Sequence, residues 1–129
     1  MYDSLIQVDN IQLKKYIARF IDGYSWHKLR NFNWIDTSLV TDMSGLFYEN
    51  EFCAGIDISR WNVSNVKNMS HMFAISTFDG DISNWDVSNV TAMNSMFEYC
   101  KAFNSDIGNW DVSNVMFMTF MFQSAENFN

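Results

Sequence analysis

The side chains in this chain that could do chemistry are its aspartates, two cysteines and two histidines. Among these, only the aspartates recur on a regular spacing. Asp36, Asn62, Asp86 and Asp111 form one column, and Asp57, Asp81 and Asp106 form a second. Carboxylates about 4.8 Å apart on neighbouring extended segments repel unless they are solvated, hydrogen-bonded or neutralised. Such columns either accept turn N–H groups or make an acidic stripe that recruits a basic protein. Calcium is disfavoured, because no Gly-rich ligand loop accompanies them. Cys53 and Cys100 occupy non-equivalent positions and read as buried free thiols rather than a disulfide framework. His27 and His71 stand apart from each other and from the three or four convergent ligands that zinc requires. No Ser/His/Asp or Cys/His arrangement, carboxylate pair or phosphate loop has usable spacing. Neither catalysis nor a metal or other cofactor is therefore expected.

Composition narrows the partners. The 129 residues carry a formal net charge of -7, with 8 Lys and Arg against 15 Asp and Glu. Phosphate recognition needs clustered Lys and Arg, so direct nucleic-acid binding is excluded and a basic protein surface is retained. Aromatics at 17% are too many for a disordered acidic chain. The start, Met1-Tyr2-Asp3-Ser4, has no basic segment or apolar run of a signal peptide, and no segment is long enough to span a bilayer. A single domain that stays in the cytoplasm is the expectation.

The aspartates are positioned by a copied stretch. Asn84-Trp85-Asp86-Val87-Ser88-Asn89-Val90 returns at residues 109–115, and an edited version, Arg60-Trp61-Asn62-Val63-Ser64-Asn65-Val66, precedes it. Met-x-x-Met-Phe follows each copy, at Met69/Met72/Phe73, Met93/Met96/Phe97 and Met118/Met121/Phe122. Alignment on Val40, Val66, Val90 and Val115 adds a divergent first copy with Ile35 in the tryptophan slot. The period of 24 to 26 residues is that of a solenoid. Trp-Asp-Val reads as a very short strand, and Val-x-x-Met-x-x-Met-Phe as a helix or 3₁₀ turn. Asn65, Asn89 and Asn114 should serve backbone groups of adjacent turns. The first copy has Leu39 there, so that ladder should stop with it. Four copies are placed at 31–56, 57–80, 81–105 and 106–129.

Residues 1–30 lie outside the repeat. Leu13, Ile17, Phe20, Ile21 and Tyr24 recur on one face of a helix, with Asp9 or Asn10 able to cap its start and Gly23 its end. This segment is read as a cap over the first copy, not a membrane-surface helix.

At these residues the chain resembles the BspA-like leucine-rich repeat proteins, the bacterial and mycoplasmal surface type with repeats of about 25 residues. The resemblance covers residues 31–129. It implies an α/β fold: a leucine-rich-repeat-like right-handed solenoid with short parallel strands, a helical or 3₁₀ convex side and an N-terminal capping helix. It also implies a binding or adhesion role without catalytic residues, and many members lie at the cell surface.

Function is expected where the copies disagree. Positions occupied by Thr41/Lys67/Thr91, Asp42/Asn68/Ala92 and Gly45/His71/Ser95 become Met116, Phe117 and Phe120 in the last copy. A clustered set of large exposed apolar residues marks a contact surface, here for a partner or a homodimer. With Asp36, Asn62, Asp86 and Asp111 these are the candidate partner-binding residues. The reading is a non-catalytic protein–protein interaction module. The alternative is a small acidic intracellular inhibitor or decoy, of phage or mobile-element origin, that blocks a nucleic-acid-binding enzyme.

Overall fold

The computed structural model describes residues 5–21 and 29–129. Helix α1 (Asn10–Phe20) starts at Asp9, whose carboxylate accepts the Gln12 N–H at 2.8 Å, while the Gln12 side-chain carbonyl accepts the Asp9 N–H at 2.9 Å. This reciprocal pair satisfies donors that a helix start leaves open. Asn10 instead reaches the first copy: its Oδ1 accepts from Thr41 N at 2.9 Å and Asp42 N at 3.3 Å, and its Nδ2 donates to Thr41 Oγ1 at 3.1 Å. Leu13, Ile17 and Ile21 are buried in the main core, and Phe20 packs against it. The readings made for Gly23, Tyr24 and His27 lie outside the described residues. Before α1, β1 (Ile6–Gln7) pairs in parallel with β2 (Ile35–Asp36), Ile6 opposite Ile35 and Gln7 opposite Asp36. A two-residue strand is too short to show periodicity, which is why the sequence does not announce β1.

The expected α/β fold, a leucine-rich-repeat-like right-handed solenoid with a helical or 3₁₀ convex side, is corrected by the structure. Among the described residues there is one helix and one two-stranded sheet of two-residue strands, and the copied segments are turns. The reason lies in where the N–H groups go. An α-helix returns every N–H to the carbonyl four residues back. Here Leu46 donates to Met43 at 3.3 Å, Tyr48 to Gly45 at 3.1 Å and Asn50 to Phe47 at 3.1 Å, closing short turns. The N–H groups between them leave sideways for the next copy: Met43 to Asn68 at 2.9 Å, Gly45 to Ser70 at 2.9 Å, Phe47 to Met72 at 2.8 Å and Glu49 to Ala74 at 3.0 Å. The same alternation joins the second copy to the third and the third to the fourth.

Backbone that alternates in this way enters the left-handed region at fixed points. Gly45, His71, Ser95 and Phe120 have φ of 63°, 59°, 55° and 59°, and Glu49, Ile75, Tyr99 and Ser124 repeat this four residues later at 54°, 55°, 54° and 57°. A right-handed helix or 3₁₀ run cannot contain such residues. The i, i+3 spacing of the methionines fits a chain of turns as well as it fits a helix.

The expected Trp-x-Val strands are also replaced. Trp61 and Val63, and Trp85 and Val87, are buried with Asn62 and Asp86 exposed between them. The backbone there closes local turns, with Trp85 N donating to the Ile82 carbonyl at 3.2 Å and Val90 N to Val87 at 3.0 Å. Lateral bonds come from side chains instead. The indole N–H of Trp61 donates to the Phe32 carbonyl at 2.9 Å, that of Trp85 to Ile58 at 3.2 Å and that of Trp110 to Ile82 at 3.2 Å. Asn65, Asn89 and Asn114 donate to the carbonyls of Ser38, Ser64 and Ser88 at 2.8, 2.7 and 2.7 Å. Leu39 has no group to do the same.

Two aromatic columns run through the core. Phe47, Phe73, Phe97 and Phe122 stack at centroid separations of 5.4, 5.6 and 5.5 Å. Phe78, Phe103 and Phe128 stack beside them at 6.3 and 5.7 Å. Cross-column pairs are closer, with Phe73–Phe78 at 4.0 Å and Phe97–Phe103 at 3.9 Å and their rings within 14° and 11° of parallel. Gly80 is where the return chain passes the ring: a Cβ there would lie 2.8 Å from the Phe78 ring and 2.9 Å from the Ile56 carbonyl.

Candidate binding surface

Each aspartate of the first column has a local task. The Ser88 hydroxyl and N–H donate to Asp86 Oδ1 at 2.6 and 3.0 Å, and the Ser113 N–H donates to Asp111 Oδ1 at 3.0 Å. Asn62 holds Ser64 in the same way, at 2.6 and 3.0 Å. Asp36 accepts from Ser38 N at 2.9 Å and from the Gln7 side chain at 3.3 Å. In the second column, Asp57 and Asp81 each take a serine hydroxyl at 2.6 Å. Asp-x-Ser and Asn-x-Ser are thus side-chain-closed turns. Asp36 is half-buried, and Asn62, Asp86 and Asp111 are exposed.

The serine hydroxyls, followed by the serine N–H groups, hold the Asp36, Asp57, Asp81, Asp86 and Asp111 carboxyls below the usual value of 3.8. The folded chain therefore keeps them charged where the unfolded chain has begun to protonate. This contribution to stability is complete above the ordinary carboxylate value and is lost as pH falls through the depressed one. The thermal midpoint should stay level from pH 7 to about 5 and fall below about 4. Asp57→Asn with Asp81→Asn should flatten that acid limb; an unchanged limb in thermal melts would contradict the assignment.

The thiols take no part in a surface. Cys53 and Cys100 are buried and free. Burial raises both, and Cys100 is pushed up to about 11. Among the described residues no three His, Cys, Asp or Glu side chains converge as a metal site, and no helix is long and apolar enough to cross a membrane.

The last copy differs in kind. Met116, Phe117 and Phe120 are 71%, 54% and 61% exposed. They do not lie on a helix, as the i, i+1, i+4 spacing suggests. Met116 N and Phe117 N both donate to the Thr91 carbonyl, at 2.8 and 3.3 Å, Phe117 bridges Ala92, and Phe120 sits at positive φ. The structure adds neighbours that comparison of the copies does not single out. Met118 and Phe122 are 41% and 36% exposed, whereas their counterparts Met93 and Phe97 are fully buried, and Val112 is exposed where Val87 is not. These three obey the repeat pattern.

Side-by-side copies joined by lateral backbone bonds, the last of them carrying exposed apolar side chains, define a repeat protein. The chain belongs to the family described as "Mycoplasma protein of unknown function, DUF285", whose model matches residues 17–129. No curated protein and no solved structure matched the chain.

Proposed function

We infer that this chain is a non-catalytic protein-binding module of the BspA-like type, and that Met116, Phe117 and Phe120 form its contact surface. The observation that carries the reading is the exposed apolar cluster in the last copy, at positions held by smaller or polar residues in the other three. Large apolar side chains gathered at one surface are the usual mark of a protein contact, and aromatic anchors supply most of the energy of such contacts. The repeated N-W-D-V-S-N-V motif supports the BspA-like assignment and with it a binding or adhesion task. The acidic column is the weaker candidate, since one carboxylate oxygen of each aspartate already closes a turn.

Phe117→Ser with Phe120→Ser is the direct test. Both positions are exposed, so stability should change by no more than about 0.5 kcal/mol per site. Serine also tolerates the backbone at 120, as Ser95 shows at the equivalent position with φ of 55°. Immobilised wild-type chain should capture a protein from a Mycoplasma lysate at least about tenfold better than the double variant. Equal capture of the same proteins by both chains would remove the cluster from the contact.

A further inference from the structure

Two side chains inside the array are badly placed for folding alone. Ile75 and Tyr99 occupy equivalent positions of the second and third copies, at φ of 55° and 54°, and are 46% and 43% exposed. The left-handed region is costly for bulky residues and above all for a β-branched one, whereas glycine or asparagine enters it readily. Side chains left half in water recover only part of that cost by burial. Neither position lies at an end of the array. Ile75 N donates to the Glu98 carbonyl of the third copy at 2.8 Å, and Tyr99 N to the Gln123 carbonyl of the fourth at 2.8 Å.

At this position and the one before it, the first three copies read Tyr48-Glu49, Ala74-Ile75 and Glu98-Tyr99. Lateral bonds hold the pairs in register, with Glu49 N donating to the Ala74 carbonyl at 3.0 Å and Ile75 N to Glu98. Buried Ala74 and exposed Ile75 thus sit between an aromatic–acid pair and an acid–aromatic pair. The Tyr48 ring is 47% exposed and meets His71 edge to face at 6.2 Å. With Gly45 and His71 it lines an open groove of about 350 Å³. Glu49 is exposed and Glu98 half-buried, and among the described residues neither forms an ion pair, whereas Lys101 is paired with Glu126 at 3.4 Å. Hydrogen bonding and charge from Glu49, together with the charge of Glu98, hold the Tyr48 phenol above its ordinary 10.0.

An apolar centre with a ring and an unpaired carboxylate at each end matches one kind of side chain, a long apolar stem that ends in a cation. The stem covers Ile75, the ring faces attract the cation and the carboxylates pair with it. Arginine suits the site better than lysine, because its planar head stacks on a ring and bonds a carboxylate at once. We propose that Tyr48, Glu49, Ile75, Glu98 and Tyr99 form a second contact, which receives an arginine-bearing segment of a basic protein partner. This contact rests on the binding-module reading and extends its surface from the last copy onto the first three.

The test is a titration of the full chain with acetyl-Leu-Arg-Leu-Arg-Leu-amide, followed through backbone amide shifts. Saturation below about 1 mM is expected, with changes centred on those five residues, and the peptide with citrulline for both arginines should bind at least about tenfold more weakly. Glu49→Gln with Glu98→Gln should lose as much. Asp57→Asn with Asp81→Asn removes the same charge from another face and should lose less than about threefold. Asparagine keeps that turn, as Asn31 shows at the equivalent position by accepting from Asn33 N at 2.9 Å. Ile75→Asn separates binding from folding: its thermal midpoint should equal or exceed that of the wild type, while peptide affinity falls at least about fivefold. No saturation, equal binding of the citrulline peptide, an equal loss in the aspartate variant or a lowered midpoint in Ile75→Asn would each overturn the proposal. If the peptide fails while the Phe117→Ser, Phe120→Ser variant still loses its lysate partner, the module reading stands and only this contact falls.

Discussion

Phe97→Ala should lower the free energy of unfolding by about 3–5 kcal/mol, a large part of the roughly 5–15 kcal/mol that holds an ordinary domain. Phe97 has no exposed surface and is stacked on both faces, 5.6 Å from Phe73 and 5.5 Å from Phe122, with Phe103 at 3.9 Å and Trp110 at 6.4 Å. Removing it opens a cavity between two copies, and the flanking rings are held by their own turns and cannot close it. The lateral bond from Phe97 N to Met121 at 2.9 Å lies beside that cavity, so the last copy should loosen first. Phe122→Ala is the internal control. Phe122 meets Phe97 and Phe128 but is 36% exposed, so its loss should cost less than half as much. Urea denaturation of both variants measures the difference. Equal losses would mean that the aromatic column is not what joins the copies.

The core was legible in the sequence. The copied Trp, Val, Met and Phe positions all pointed inward until the last copy, because a buried column demands the same residue type at each level. Helix α1 was legible too, through Asp9 and the spacing of Leu13 and Ile17, although the part Gln12 plays in its cap was not. The conformation of the Met-x-x-Met-Phe segment was not. Turns closed onto the third residue back and helical turns both place Met69 and Met72 on one side, so apolar spacing does not separate them. The separating feature is the sign of φ at Gly45, His71, Ser95 and Phe120, and only the first of these is a glycine. His71 and Ser95 are held in that region by lateral bonds on both sides of the turn, and Phe120 by the bonds its neighbours Thr119 and Met121 accept from the third copy, a tertiary effect that no local pattern reports.

The candidate surface divides in the same way. Met116, Phe117 and Phe120 stand out by comparing copies, since residue identity changes there. The aspartate columns also stand out by spacing, yet their partners show that regular recurrence in Asp-x-Ser reflects turn closure. Val112, Met118 and Phe122 keep the residue types of the repeat, so their exposure is not legible from residue identity, and which carbonyl closes which turn is not legible from it either. Neither property belongs to any single residue.

The central claim is that alternate backbone N–H groups join the copies sideways. Amide hydrogen exchange of the free chain tests it at residue level. Met93, Ser95, Phe97 and Tyr99 donate across a buried junction and should exchange only on large-scale opening, slowed by roughly three orders of magnitude or more. Met118, Phe120, Phe122 and Ser124 are the same positions one copy later, and should exchange near the rate of an open peptide. Equal protection of the two rows in the free chain would contradict the account.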